Sequence, residues 1–275
     1  MRKGKRLIAW IMAVVMLFTI CVFDGNGTAE AAATTPVAKH GRLSVKGADL
    51  VDSKGNKFQL RGISTHGINW DVGSPYVNKK AFKTLRDDWG VNAIRLAMYT
   101  EEYNGYCSGG SQAKLRKLVD KGVGYATDLG MYAIIDWHIL SDGNPNKNKS
   151  QAKKFFTTMA KKYKNNKNVI YEICNEPNGC SWKEIKSYAT DIIKTIRKYD
   201  KKAVIIVGTP TWSQLGTDGT SNEVADSPIK GYKNIMYSLH FYASEWAHNE
   251  YLPAKVAYAR KKKLPIIVSE FGLSP

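Results

Sequence analysis

The chain has 275 residues, with 41 Lys and Arg against 24 Asp and Glu and a formal net charge of +17. Without an N-terminal leader roughly 240 residues remain, enough for a sizeable core and suited to one α/β barrel domain. The basic excess is mostly lysine on polar helix faces, as at Lys153-Lys154, Lys161-Lys162 and Lys201-Lys202, and no arginine-rich stripe with interleaved aromatics is present, so a nucleic-acid partner is not expected.

The first element is a targeting segment. A basic start, Met1 to Arg6, leads into an apolar run without charge from Leu7 to Phe23, then small residues at Ala29-Glu30-Ala31. This is the pattern of a secretory signal peptide over residues 1–31, and it predicts a secreted, extracellular protein with no membrane attachment after cleavage. Residues 32–42 read as a short linker, and 43–275 as one barrel domain. Cleavage leaves Cys107, Cys174 and Cys180, an odd number without a C-x-x-C pair, which specifies neither a disulfide nor a metal site.

Alternating apolar positions from Leu43 to Leu60, around Ser53-Lys54-Gly55, predict a β-hairpin placed to plug the lower end of a barrel. Apolar strands then alternate with amphipathic helices. The strands are predicted over 59–65, 93–98, 132–137, 169–174, 203–208, 235–241 and 266–270. The helices are predicted over 79–89, 111–129, 150–164, 182–199 and 252–261. In the fourth helix Trp182, Ile185, Tyr188, Ala189, Ile192, Ile193 and Ile196 share one face, with lysines opposite. The stretch 208–233 holds at most a short helix.

A β-α repeat of this kind gives a parallel sheet with helices outside. No G-x-G-x-x-G follows the first strand, which weighs against a dinucleotide fold. Chemistry-bearing residues recur at strand ends: His66, Tyr99, His138, Glu176, Tyr242 and Glu270. That favours a closed barrel, whose strand tips ring one mouth. Seven core strands are read before Pro275, so the expected fold is a (β/α)8 TIM barrel with an N-terminal hairpin, here without its eighth strand and last helices.

Two strands carry the strongest signal. Val169-Ile-Tyr-Glu-Ile-Cys-Asn-Glu-Pro177 is a buried strand stopped by proline, with Glu176 at its carboxyl end. Pro265-Ile-Ile-Val-Ser-Glu-Phe-Gly272 ends the same way at Glu270. Two glutamates on strand tips that face one site are the equipment of glycosidic bond cleavage. Retention of configuration needs the carboxyls about 5–5.5 Å apart, one protonated and one ionised. Arg95 points inward from the second strand, where it either favours the ionised glutamate or pairs structurally with Glu172 or Asp136. His240 and Tyr242 are two apart and share a face.

Flat apolar platforms suit sugar rings, and Trp70, Trp212 and Trp246 follow strand tips on the side of the mouth. Trp89 and Trp182 lie on helices and are assigned to the core, and Trp137 to the layer under the helices. Tyr99 lines the cleft or packs over the second strand. No H-E-x-x-H spacing occurs, and neither metal nor cofactor is expected.

With its motifs in this order, the chain resembles glycoside hydrolase family 5, and most closely its bacterial secreted endoglucanases. The motifs are Arg61-Gly-Ile-Ser-Thr-His66, Asn92-Ala-Ile-Arg-Leu-Ala-Met-Tyr99, Ile135-Asp-Trp-His138, Tyr171-Glu-Ile-Cys-Asn-Glu-Pro177, Tyr237-Ser-Leu-His-Phe-Tyr242 and Val268-Ser-Glu-Phe-Gly272. They span about Lys39 to Pro275. The resemblance implies endo-acting, retaining hydrolysis of β-1,4-glucosidic bonds by a monomer, with Glu176 as acid/base and Glu270 as nucleophile. It implies that Asn175 bonds the sugar 2-hydroxyl, that His240 lies near the acid/base and that Tyr242 lies near the nucleophile. His66, Trp70, Arg95, Tyr99, His138, Trp212 and Trp246 complete the expected substrate site. It also implies a tryptophan from an eighth strand, which falls beyond Pro275. The alternatives are a related hydrolase of mannan, xyloglucan or lichenan, or an inactive glucan-binding fragment.

Overall fold

The computed structural model describes residues 34–217, 221–245 and 250–274. The expected signal peptide and Trp246 lie outside the described residues. Thr35–Pro275 form one compact unit. Its first element is a helix absent from the sequence reading, α1 (Pro36–His40), N-capped by Thr35. The Val37 N–H donates to the Gly130 carbonyl at 2.9 Å, and His40 Nδ1 lies 3.1 Å from Asp52 Oδ2. Most of the stretch read as a linker is thus docked on the barrel.

The hairpin is real, but its turn lies elsewhere. β1 (Ser44–Lys46) pairs antiparallel with β2 (Asp49–Val51), so the chain reverses at Gly47-Ala48, where Gly47 takes φ 63°. That left-handed turn costs a glycine little. The Ser53-Lys54-Gly55 turn also forms, because Asp52 Oδ1 accepts from the backbone N–H groups of Lys54 and Asn56. It supports only a single bridge, Val51 to Lys57.

Seven parallel strands follow, each paired with the next in chain order: β3 (Gly62–Ser64), β4 (Ala93–Tyr99), β5 (Tyr132–His138), β6 (Val169–Glu172), β7 (Ile205–Val207), β8 (Ile235–Tyr242) and β9 (Ile266–Gly272). Laid flat, β4 and β9 would stand five strand spacings apart, about 24 Å. Instead Arg95 on β4 lies 2.7 Å from Glu270 on β9. The sheet is therefore rolled into a nearly closed barrel with β3 and β9 at its edges.

Alternation along the strands sorts the residues. On β5, Ala133, Ile135 and Trp137 face outward into the layer packed by the helices, and Trp137 lies 5.3 Å from Phe155 between ring centroids. Tyr132 and Ile134 face inward with Ala93, Ile170, Val204, Ile206 and Met236, and Leu43 and Leu50 of the hairpin close this inner cluster. The hairpin does plug the amino-terminal end. One step up β4, β5, β6 and β8 the inward residues become polar: Arg95, Asp136, Glu172 and Ser238 are all buried. The barrel is an apolar plug below and an ionic layer above.

The helices keep the sequence boundaries closely. α2 (Lys79–Trp89) and α7 (Leu252–Lys261) match them, and α3 (Gln112–Asp128), α4 (Lys149–Tyr163) and α5 (Trp182–Arg197) shift by one or two residues. α5 starts on a capping box between Ser181 and Glu184, and its predicted apolar face is buried throughout. Trp182 is core as expected. Trp89 is not: it is 72% exposed at the C-terminal end of α2, on a face that no other element covers among the described residues. α6 (Glu223–Asp226) is the short helix of the 208–233 stretch.

Candidate active site

At the carboxyl ends of the strands a cavity of about 470 Å³ opens, lined by Tyr99, His138, Leu140, Glu176, Trp212, Gln214, Tyr242, Glu245 and Glu270. Glu176 lies four residues past the end of β6, just after a bend at Asn175 and before Pro177. Glu270 sits within β9. Carboxylate oxygens of these two residues and a ring nitrogen of His240 all lie within 4.8 Å of one another. The two glutamates therefore share one pocket.

Arg95 organises the layer beneath them. Its Nε donates to Glu172 Oε2 at 2.7 Å, Nη1 to Glu270 Oε2 at 2.7 Å, and Nη2 to Asn175 Oδ1 at 2.6 Å, with Asp136 Oδ2 at 3.1 Å. Both sequence-level roles of Arg95 hold at once. A buried guanidinium among three carboxylates stays charged, with its pKa raised well above the usual value. Burial would raise the Glu270 carboxyl, but the charges of Arg95 and then His240, with the Tyr242 hydroxyl that donates to Oε1, outweigh it and hold it at about 2. Glu270 is therefore an anion at neutral pH.

His240 bridges the other carboxylates. Nδ1 lies 2.8 Å from Glu176 Oε1, and Nε2 lies 2.9 Å from Ser269 Oγ. Ser269 and Ser238 both donate to Glu172 Oε1, at 2.7 and 3.0 Å. Burial would lower the His240 pKa, but Glu172, 3.9 Å away through Ser269, and Glu176 raise it to about 9. The imidazolium donates from both nitrogens.

Asn175 is fully buried. Arginine only donates, so Oδ1 must be the atom facing Arg95, which leaves Nδ2 for the Ile139 carbonyl at 3.0 Å and His138 Nε2 at 3.2 Å. His138 Nε2 thus accepts, and Nδ1 carries the hydrogen toward Asp136 Oδ2 at 2.6 Å. In this arrangement Asn175 orders the site. A sugar hydroxyl would reach its amide only at the expense of the His138 contact, the longest of its three bonds.

The remaining expected residues divide. Tyr99, His138, Trp212 and Tyr242 line the cavity. Trp70 stacks on Tyr99 at 4.6 Å, and its Nε1 donates to the Tyr103 carbonyl at 2.7 Å. His66 is exposed, lies 5.3 Å from Trp70 between ring centroids, and lines a separate groove with Tyr76 and Trp89. Its place in the catalytic cavity is not supported. Sequence reading missed Ser238, Ser269, Gln214 and Glu245. Ser238 was within reach, because it shares the His240 and Tyr242 face by alternation.

Among the described residues, Glu176, His240 and Glu270 have the spacing of a metal site. His240 is unsuited to ligation, since both ring nitrogens are engaged and a pKa near 9 keeps the ring cationic at neutral pH.

The family model of cellulase, glycosyl hydrolase family 5, matches residues 51–275. The chain belongs to glycosyl hydrolase family 5. Its relatives include an endoglucanase of Clostridium saccharobutylicum, 49% identical over 275 residues, which are 98% of this chain and 57% of that protein. Endoglucanase A of Butyrivibrio fibrisolvens is 48% identical over 237 residues, 85% of this chain and 52% of the relative. The chain spans about half the length of the curated relatives it matches. Among solved structures, the catalytic domain of Thermobifida fusca endoglucanase Cel5A superposes with a TM-score of 0.78 at 41% identity, covering 87% of this chain and 76% of that one. A variant of that domain in complex with cellotetraose superposes with a TM-score of 0.77 at 41% identity, covering 86% and 76%.

Proposed function

We propose that this family-5 barrel hydrolyses internal β-1,4-glucosidic bonds of cellulose and related β-glucans with retention of configuration. One observation carries the reading: the Glu176 and Glu270 carboxylates approach within 4.8 Å across one cavity. As a limit on the nearest oxygens it accords with the about 5–5.5 Å between carboxyls in retaining enzymes and favours that class over inverting enzymes, whose carboxyls stand about 6.5–9.5 Å apart.

In the first step a Glu270 oxygen attacks the anomeric carbon, the bond to the leaving oxygen breaks, and the Glu176 proton goes to that oxygen. In the second, Glu176 takes a proton from water, the water oxygen bonds the same carbon, and the ester to Glu270 is released. Arg95 and Tyr242 keep Glu270 ionised and aimed. Cationic His240 donates to Glu176 Oε1 and holds that carboxyl in place for proton transfer. Trp212, 43% exposed over the cavity, offers a stacking face for a sugar ring. The cellotetraose held by the Thermobifida fusca domain supports a β-glucan as the substrate class.

The domain reading accompanies this proposal: residues 1–31 as a secretory signal and 43–275 as the catalytic barrel, in a secreted enzyme that acts as a monomer. Among the described residues no helix is long and apolar enough to cross a membrane.

NMR of the first-formed reducing end from cellopentaose tests the mechanism. The β-anomer is expected, and Glu270→Gln and Glu176→Gln should each abolish its release from a folded protein. The α-anomer appearing first, or undiminished hydrolysis by either variant, overturns the reading. Relative rates on carboxymethylcellulose, mannan and lichenan test the substrate.

A further inference from the structure

Beyond β7 the chain makes a turn of the wrong hand. Thr211 takes φ 59° and ψ 62°, Trp212 φ 51° and ψ 47°, Ser213 φ 61°, and Leu215 φ 60°. None is glycine, and a β-branched threonine suits the left-handed region poorly. Strain of this kind persists only where surrounding bonds over-determine it.

Those bonds converge on the acid/base. The Trp212 N–H donates to the carbonyl of Pro177 at 3.1 Å, and Ser213 Oγ donates to the carbonyl of Asn175 at 2.5 Å. These are the residues immediately after and before Glu176. Ser213 Oγ also accepts from the Thr209 N–H at 3.3 Å, and its own N–H donates to the Thr209 carbonyl at 2.9 Å. Thr209 Oγ1 accepts from the Leu215 N–H at 3.0 Å and donates to the Ser238 carbonyl on β8 at 3.1 Å. Close approach is built in at Gly208. A Cβ there would stand 2.4 Å from the Cys174 carbonyl oxygen and 2.7 Å from Pro177 Cδ.

A right-handed turn would carry the Trp212 N–H and the Ser213 hydroxyl away from these carbonyls. We infer that Ser213 is a positioning residue: the left-handed turn clamps the backbone on both sides of Glu176 and fixes where its carboxyl meets the leaving oxygen. The same turn presents Trp212 to the cavity, so sugar stacking and proton delivery share one rigid piece. This deepens the acid/base reading of Glu176 and rests on it.

Leaving-group chemistry tests it. A 2,4-dinitrophenoxide departs from a cellobioside without protonation, whereas a glucose hydroxyl of cellotetraose needs the proton. Ser213→Gly removes the hydroxyl yet tolerates φ 61°, so folding is preserved even if Ser213→Ala is unstable. For Ser213→Gly, kcat on cellotetraose should fall roughly tenfold or more with KM within about twofold. The value of kcat/KM on the dinitrophenyl cellobioside should stay within about twofold, because that bond breaks without the proton. Equal losses on both substrates, or no loss on either, overturn the inference. Glu176→Ala is run beside it. If Glu176→Ala does not itself spare the activated substrate, the acid/base assignment has failed, and that outcome overturns the inference with it.

Discussion

His240 Nδ1 lies 2.8 Å from Glu176 Oε1, while the opposite nitrogen reaches Glu172 through the Ser269 hydroxyl. A buried imidazolium thus joins the acid/base to the ionic layer of the barrel. Its pKa is raised from 6.5 to about 9, because Glu172, Glu176 and Glu270 together outweigh burial and the opposing charge of Arg95. A raised value means that the folded state holds the proton more tightly. The resulting stability is fully present below about pH 6.5 and is lost as pH climbs through about 9. At about 1.4 kcal/mol per pH unit it amounts to on the order of 3 kcal/mol. Denaturant unfolding at pH 6 and pH 9.5 should show a larger alkaline loss in the wild type than in His240→Gln. Equal losses would discard this account.

Arg95→Lys should be severe although it keeps the charge. An ammonium cannot reach Glu172, Glu270, Asp136 and Asn175 together as the guanidinium fork does. Leaving buried carboxylates under-compensated costs about 3–5 kcal/mol, read as a fall in thermal midpoint. Glu270, held at about 2 against 4.5, contributes stability above pH 4.5 that is lost as pH falls through about 2. In the lysine variant the acid limb of kcat/KM should move upward. An unmoved limb would show that Arg95 does not set the state of Glu270.

Ser269→Ala removes the hydroxyl between His240 and Glu172 and touches neither glutamate of the reaction. The His240 pKa, followed by NMR, should fall from about 9 toward its usual range, because a carboxylate 3.9 Å away acts less directly. The variant should stay folded, since Ser238 still donates to Glu172.

Trp212→Ala tests the platform. Lost stacking of a sugar on an indole is worth about 0.5–1.5 kcal/mol by analogy with other aromatic contacts, so KM for cello-oligosaccharides should rise by roughly two- to tenfold. The hydrolytic step at saturation should change less, because the backbone bond from residue 212 to Pro177 remains. A KM unchanged within error would remove Trp212 from the substrate site.

Strand and helix placement was legible because period-2 and period-3.6 patterns are strong here. α2 and α7 match their predicted ends, and Glu176 and Glu270 reach one pocket as their strand-end positions imply. Three features escaped for local reasons. The hairpin reverses at Gly47 rather than at Ser53–Gly55, because two glycine turns compete within a dozen residues. Trp89 has the helical spacing of a core residue but no covering element among the described residues. The turn after β7 adopts a hand that propensity argues against, so no sequence rule anticipates its hold on Asn175 and Pro177.

The clearest division lies on β9. Alternation and the strand-end glutamates prescribe a parallel α/β barrel with two carboxylates at its mouth, because backbone geometry makes every second side chain face the same way. Under strict alternation Ser269 and Glu270 would point to opposite faces. In the folded protein both reach inward, Ser269 to His240 and Glu172 and Glu270 to Arg95, where the register slips between Leu239 and His240. A bulge re-aims a side chain when pairing with the neighbouring strand makes room for it. That slip belongs to the pairing of β9 with β8, and the ion pair of Glu270 with Arg95 forms only because the sheet rolls up and brings β9 to β4, which no local pattern encodes.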